Sequence, residues 1–200
     1  MHLNDRPEPR GKTGTGVAPS VFLVMILLAA HISGLHLMGR PLFCACDSFR
    51  FWTGEVRSPQ TSQLLVDWYS LTHLEHGLIF YFLGWLLLPR LSVEKRLLVA
   101  LALEIAWEML ENSAWFVQLY RRQPLAAGYN GDSVVNSLSD LGFMSLGYFI
   151  AALAPTGVSV ALLLAIEGAL ISVIRDSLAL NLLNFVHPFT AVARWQSQSP

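Results

Sequence analysis

Charge is what this sequence has least of. Only 14% of its 200 residues are Asp, Glu, Lys or Arg, against roughly 25% in a soluble domain. Together with 54% hydrophobic residues and a positive mean hydropathy, that shortage excludes an ordinary water-soluble domain and identifies a membrane protein. A formal charge of -1 offers no basic surface, so nucleic acid is excluded as a partner. Cysteine is equally scarce. Cys44 and Cys46, separated by one residue in a loop, are too few for a disulfide scaffold, and a bond between them would be strained. The plain reading is two half-buried loop thiols; a reactive thiol pair or soft metal ligands are the alternatives. No lipid-attachment box precedes Cys44, since Pro41, Leu42 and Phe43 stand there. Internal repeats are lacking too, which argues against a transporter built from inverted repeats.

Long hydrophobic runs are present. A spanning helix needs about 20 mostly apolar residues, and five stretches qualify: Val17 to Met38, Trp68 to Leu88, Leu97 to Leu119, Val134 to Leu153, and Val158 to about Ile174. Ser177 to Val186 either extends the fifth or lies flat at the interface. The expected fold is an all-α polytopic transmembrane helix bundle of about five spans. Residues 17–186 form its single domain, between a cytoplasmic tail (1–16) and a C-terminal tail (187–200). A signal peptide cleaved after Ala30 is the competing reading of the N-terminus. An uncleaved anchor is preferred, because apolar character continues through His31 and Ile32 to Met38. The stretch from Gly11 to Gly16 resembles a phosphate loop in composition only, with its Lys misplaced and no strand before it.

The connections differ in length. Residues 39–67 form a long polar loop, Pro89 to Arg96 a tight basic turn, and Gln118 to Asp132 a medium loop ending in the turn signal Asn130-Gly131. Of the 13 Lys and Arg, six fall on the N-terminal side and seven on the other, so the bulk count does not orient the chain. Three basic residues precede the first span and only Arg40 lies close behind it. That places the N-terminus in the cytoplasm and the C-terminus outside.

Counting spans shows that the polar residues within them share one side of the membrane. At those ends stand His31, His36 and Arg40; His73 and His76; Glu108, Glu111 and Asn112; Asp132, Asn136 and Asp140; Arg175 and Asp176. The opposite ends hold almost none. Tyr69, His73, His76 and Phe80 follow the three-and-four rule and line one helix face, while Glu75 points well away. The histidines are three apart, so the string is not a His-Glu-x-x-His zinc motif. Glu104, Glu108 and Glu111 fall on one stripe with Trp107 and Trp115 nearby. Three ionised carboxylates so close repel, which requires protonation or neutralising cations. Asp132, Asn136 and Asp140 recur every four residues, with Asp132 or Ser133 as helix cap.

Asp140 lies roughly 12 Å deeper than Asp132 at about 1.5 Å per residue, and Glu104 reaches a comparable depth on the antiparallel neighbour. A polar cleft open to one face satisfies both. His73, His76, Glu108 and Asp140 are its candidate core. They could hold a divalent metal that activates water or act directly as acid and base. The plainer readings are that His31 and His36 serve the interface or helix pairing, Glu111 and Asp132 are wet interface residues, Glu167 is a structural hydrogen bonder, and Arg175 pairs with Asp176 or a carboxylate of the third span.

The strings Asp67-Trp68-Tyr69 with His73 and His76-Gly77, then Glu104-x-x-Trp107-Glu108-x-x-Glu111-Asn112, then Tyr129-x-Gly131-Asp132-Ser133-x-x-Asn136-Ser137, and Ile174-Arg175-Asp176 recur in order. They resemble an uncharacterised family of alphaproteobacterial multi-pass inner-membrane proteins over roughly residues 40–195. Cys44-x-Cys46 and Asn181 fit its pattern. The chain departs from it at Ser177, where the family tends to have Asn, and at Leu74 and Glu75, so Glu75 carries little expectation of shared chemistry. The order of His, Glu-x-x-x-Glu and Gly-Asp is more loosely similar to small VanZ-like membrane proteins, by analogy alone.

The resemblance implies a bacterial inner-membrane location with no assigned activity. The residues lead to an enzyme acting on a lipid or lipid-linked envelope substrate at the periplasmic face, by hydrolysis or group transfer. His73, His76, Glu108 and Asp140 would be metal ligands or acid and base, and Arg175 would hold an anionic head group. The alternatives are a small permease or ion-binding protein using the carboxylates as a relay, and a structural scaffold that binds envelope partners. Membrane lipids are the expected surroundings in each case. Substrate and oligomeric state are not encoded legibly.

Overall fold

The computed structural model describes residues 17–44, 46 and 50–198, with the side chains of 17 and 18 left out. The expected cytoplasmic tail, with its Gly11 to Gly16 stretch, lies outside the described residues. These fold into helices without a named strand: α1 (Val17–Leu37), α2 (Ser70–Leu87), α3 (Val93–Glu111), α4 (Ala114–Tyr120), α5 (Val134–Leu153), α6 (Thr156–Ile174), α7 (Leu178–Val186) and α8 (Thr190–Ser197). The all-α expectation holds. Three helical stretches, Pro19–Leu37, Val134–Leu153 and Thr156–Ile174, are long and apolar enough to cross a membrane. The other two expected spans, α2 and α3, carry His73, Glu75, His76 and Glu104, Glu108, Glu111, which dilute their apolar character.

The third expected span differs in its bounds. Instead of running from Leu97 to Leu119, α3 starts at Val93, where the Ser92 hydroxyl accepts from Lys95 N at 3.4 Å, and stops at Glu111. Asn112 leaves the helix and donates from its side chain to Glu108 O at 3.0 Å and Asp132 Oδ2 at 2.5 Å. Ser113 then caps α4 by accepting from Phe116 N at 3.2 Å. Short polar side chains that satisfy nearby backbone groups compete with helix continuation, and this pair ends α3 at Glu111.

The central pair is α2 and α5. Their direction follows from two contacts: His73 Nε2 lies 3.9 Å from Asp140 Oδ2, and the rings of Tyr81 and Tyr148 lie 5.3 Å apart. Both steps advance eight residues, so the helices run parallel. Close approach depends on glycine. A Cβ on Gly77 would collide with the backbone of Met144 and Tyr148, and one on Gly147 with the carbonyl of Leu74. Small residues let helix backbones approach in this way. α3 runs antiparallel beside them, with Glu104 against His73 and Arg96 against Gly84.

Two apolar layers hold the bundle: Leu74, Leu78, Ile166 and Leu170 join α2 to α6, while Leu101, Leu141, Met144 and Tyr148 join α3 to α5. Only 11% of the α1 span and 17% of the α6 span are buried, against 50% for α5. Phe22, Met25, Leu164 and Val173 therefore point outward, whereas His31, Glu104, Glu108 and Asp140 point inward. Outward apolar faces around a polar interior are the pattern that a hydrocarbon surrounding favours.

The long loop after α1 folds over one end. Trp52 bridges to Val66, its ring meets Trp68 edge-on at 5.1 Å, and Asp67 accepts from the backbone of Ser62 at 2.6 Å and Tyr69 at 2.8 Å. Cys44 and Cys46 form a disulfide with Cα atoms 5.2 Å apart. This corrects the reading of two loop thiols, because the two Cα atoms stand within ordinary disulfide reach. On the facing loop Gly131 adopts a φ of +88° and leaves room for the Arg40 guanidinium, which donates to the carbonyls of Asn130 and Asn112. A side chain at Gly131 would oppose both. Of the two expected caps of α5, Asp132 and Ser133, it is Ser133 that serves: its Oγ accepts from Asn136 N at 3.1 Å.

Candidate functional site

His73 is where the helices converge. It stands one turn into α2, buried, and its Nδ1 lies 2.6 Å from Glu104 Oε1 and 3.4 Å from Glu108 Oε1 of α3. Its Nε2 faces Asp140 of α5. His76, one turn along the same face, places Nδ1 at 3.0 Å from Glu104 Oε2 and stacks on Phe80 with ring centres 5.7 Å apart. One carboxylate thus orients both imidazoles through their Nδ1 atoms. That leaves both Nε2 atoms for other work, the arrangement in which a carboxylate fixes the tautomer of a ligating histidine.

Glu108 is held from behind. Its Oε2 accepts from Ser137 Oγ at 2.6 Å, and the same Ser137 oxygen lies 2.8 Å from His31 Nε2. α1 therefore reaches the cluster through a serine, consistent with a pairing role for His31; His36 is exposed. Glu108 Oε1 and Asp140 Oδ1 are buried without a hydrogen-bond partner. A buried acceptor left unmatched costs roughly 1–3 kcal/mol, more when charged. Two such atoms beside a histidine could hold a cation or, with a carboxyl protonated, a proton.

Three overlapping groups have donor atoms within 4.8 Å of one another: His73, His76 and Glu104; His73, Glu108 and Asp140; Glu108, Glu111 and Asp132. Above them lies a cavity of about 580 Å³. Its lining includes Tyr69, His73, Glu111, Asp132 and Asp140, with Cys44 and Cys46 in its wall. Asp132, in the loop before α5, is 4% exposed. Burial pushes its carboxyl up to about 6, against the opposing hydrogen bonds from Asn112 and Tyr129. Burial likewise raises the Tyr129 hydroxyl, helped by Asp132.

Four of the five expected site residues, His73, His76, Glu108 and Asp140, are brought together. Arg175 is not. It ends α6 in the left-handed conformation, φ 56°, donates to Trp195 O at 2.8 Å and lies over the Trp195 ring. The left-handed turn sends its side chain to α8, while its neighbour Asp176 turns inward. Asp176 accepts from Tyr69 Oη at 2.9 Å and Asn181 Nδ2 at 3.3 Å. Asn136 turns to Leu64 O at 2.9 Å and braces the loop. Glu75 is buried on the other face of α2, as its spacing required, with both oxygens unpartnered.

Glu104 belonged to the carboxylate stripe but not to the expected core; its position one turn before Glu108 was the available signal. Glu111 and Asp132, read as interface residues, line the cavity.

These residues carry the family pattern. A family model described as protein of unknown function (DUF2585) matches residues 35–198. The chain belongs to this family. A UPF0314 protein of Paracoccus denitrificans is 43% identical over 178 residues, covering 89% of this chain and 91% of the relative. One from Rhizobium etli is 43% identical over 172 residues, covering 86% and 88%. Another, from Novosphingobium aromaticivorans, is 41% identical over 199 residues, covering 97% and 94%. All three organisms are alphaproteobacteria, as the resemblance implied. No solved structure matches the chain.

Proposed function

We propose that this protein is an integral inner-membrane enzyme that uses a divalent cation to hydrolyse, or transfer a group on, a lipid or lipid-linked envelope substrate. The carrying observation is the convergence on His73 of carboxylates from two other helices, with two buried oxygens left unpartnered beneath a cavity. In this reading α1, α2, α3, α5 and α6 cross the bilayer, and the cavity opens at the periplasmic side. Charged groups at membrane depth are costly and are usually retained for function.

His73, Glu108 and Asp140, whose donor atoms lie within 4.8 Å of one another, would hold the cation. His76 stands beside them, and Glu104 holds both rings in the required tautomer. A cation there supplies the charge that polarises an ester or phosphoryl oxygen and activates water. A substrate with an apolar tail would enter between the outward apolar faces and bring its head group to the cavity. Arg175 has no part in this site.

The test is the metal content of detergent-purified protein together with lipid mass spectra of cells that lack, carry or overproduce it. Wild type should hold at least one divalent ion per chain, and His73→Ala and Asp140→Ala should lose it while remaining folded. The same two variants should fail to restore the lipid profile of the deletion strain. Metal-free wild type, or unchanged lipid profiles in every strain, would sink the reading.

A further inference from the structure

The ligands just assigned leave Glu111 and Asp132 unused, although both line the cavity directly above them. Their donor atoms lie within 4.8 Å of each other and of Glu108. Glu108 therefore belongs to two groups at once, facing His73 and Asp140 on one side and Glu111 and Asp132 on the other. Glu108 is 1% exposed, and its Oε1, 3.4 Å from His73 Nδ1, has no hydrogen-bond partner. A carboxylate shared between two donor sets is the usual bridge of a two-ion centre, whose metals sit roughly 3.5–4 Å apart.

The surroundings prepare Asp132 and Glu111 for the same task. Asp132 is fixed by Asn112, which donates to Oδ2 at 2.5 Å and accepts from the Asp132 backbone at 2.7 Å. Tyr129 donates to its other oxygen at 3.0 Å. Tyr120 hydrogen-bonds Glu111. These partners orient the carboxylates and leave lone pairs free, the supporting shell that ligands require. The ion pairs of the cluster all run to His73 or His76. Arg40 is spent on the carbonyls of Asn130 and Asn112, and Arg57, in the cavity wall, donates to the carbonyls of Gln196 and Ser197.

We propose that Glu108, Glu111 and Asp132 form a second cation site, and that the resulting two-ion centre receives a phosphate-type anion. This rests on the metal reading above and names its substrate class: a phosphomonoester, phosphodiester or pyrophosphate head group. A cavity floored by carboxylates repels such an anion. Two bound divalent ions reverse that charge, because a bound ion is the largest local charge in its site.

Purified full-length protein, stripped by chelation and titrated with Mn²⁺, provides the test. Wild type should bind two ions per chain and give the electron paramagnetic resonance spectrum of a spin-coupled pair. Glu111→Gln, half-buried and isosteric, should keep one ion with an isolated-ion spectrum. Inorganic phosphate should bind the Mn²⁺-loaded wild type, with binding at least about tenfold weaker in that variant and none to stripped protein.

A single ion per wild-type chain, indifferent to Glu111→Gln, would overturn the second site and leave the first intact. No bound ion would overturn both, and phosphate binding equally to stripped and loaded protein would overturn the anion assignment. Competition by phosphatidate in nanodiscs supports a lipid head group as the occupant; phosphate binding indifferent to phosphatidate supports a soluble one.

Discussion

Glu108 and Glu75 are both buried carboxylates with an oxygen that accepts no hydrogen bond, yet only Glu108 stands among groups whose donor atoms could hold a metal ion. Glu108 meets His73, Ser137 and, through Ser137, His31, so four helices converge on it. Glu75, on the opposite face of α2, has Glu167 as its electrostatic neighbour and does not line the cavity above His73. Burial alone is therefore a poor indicator. Convergence of donors from several elements separates a place where a cation is useful from one where a carboxylate is merely enclosed.

The largest effect should come from breaking what both regions share. Gly147→Leu would drive a side chain into the Leu74 carbonyl where α2 crosses α5; overpacking in a tight interior costs at least about 1–3 kcal/mol, and here the obstacle is rigid backbone. Little folded protein should survive detergent extraction and size-exclusion chromatography, whereas Ala at Gly142, which has open space around it, should behave as wild type. Next, Glu108→Gln should weaken Mn²⁺ binding about 100-fold, with Glu75→Gln unchanged in equilibrium dialysis. Equal loss in both would erase the contrast.

Asp176 is an intermediate case, buried and hydrogen-bonded but outside the donor groups that could hold a cation. Burial raises its carboxyl from 3.8 to about 6, with Glu167 adding to the rise and the bonds from Tyr69, Ser177 and Asn181 opposing it. Because the folded value lies above the unfolded one, the stabilisation is complete below pH 4 and lost as pH rises through 6. The change should be about 2–3 kcal/mol, read as a falling melting temperature of metal-free protein, and Asp176→Asn should flatten that slope.

Glu75→Leu should stabilise by roughly 1–2 kcal/mol, since replacing an unpartnered buried polar group with an apolar one removes a desolvation penalty. Destabilisation instead would mean that Glu75 has a role like that of Glu108. The smallest effect belongs to the cavity wall: Cys44→Ser with Cys46→Ser closes no long loop and should cost about 1.5 kcal/mol or less, with Mn²⁺ binding unchanged.

Much of the site was legible along the chain. The three-residue step from His73 to His76 and the four-residue step from Glu104 to Glu108 fixed which side chains share a helix face, and the pair Asp132-Ser133 marked the start of α5. The break at Asn112-Ser113 was harder to read, because an apolar run continues through it and the polar groups that end α3 find their partner in distant Asp132. Arg175 departs from its expected place for a similar reason. Asp176 beside it turns inward, but a left-handed turn directs Arg175 to distant Trp195.

By itself, then, the sequence determined the helices, their apolar outer faces and the polar stripes of α2, α3 and α5, since these depend on local periodicity and on the cost of exposing polar groups to hydrocarbon. Only the tertiary structure decided which stripes meet. The glycine contact between α2 and α5 sets His73 against Asp140, Glu104 takes both histidines, and Glu108 becomes the shared member of two donor sets. Such meetings depend on how closely backbones can approach, and that is a property of pairs of helices that no single stretch of chain contains.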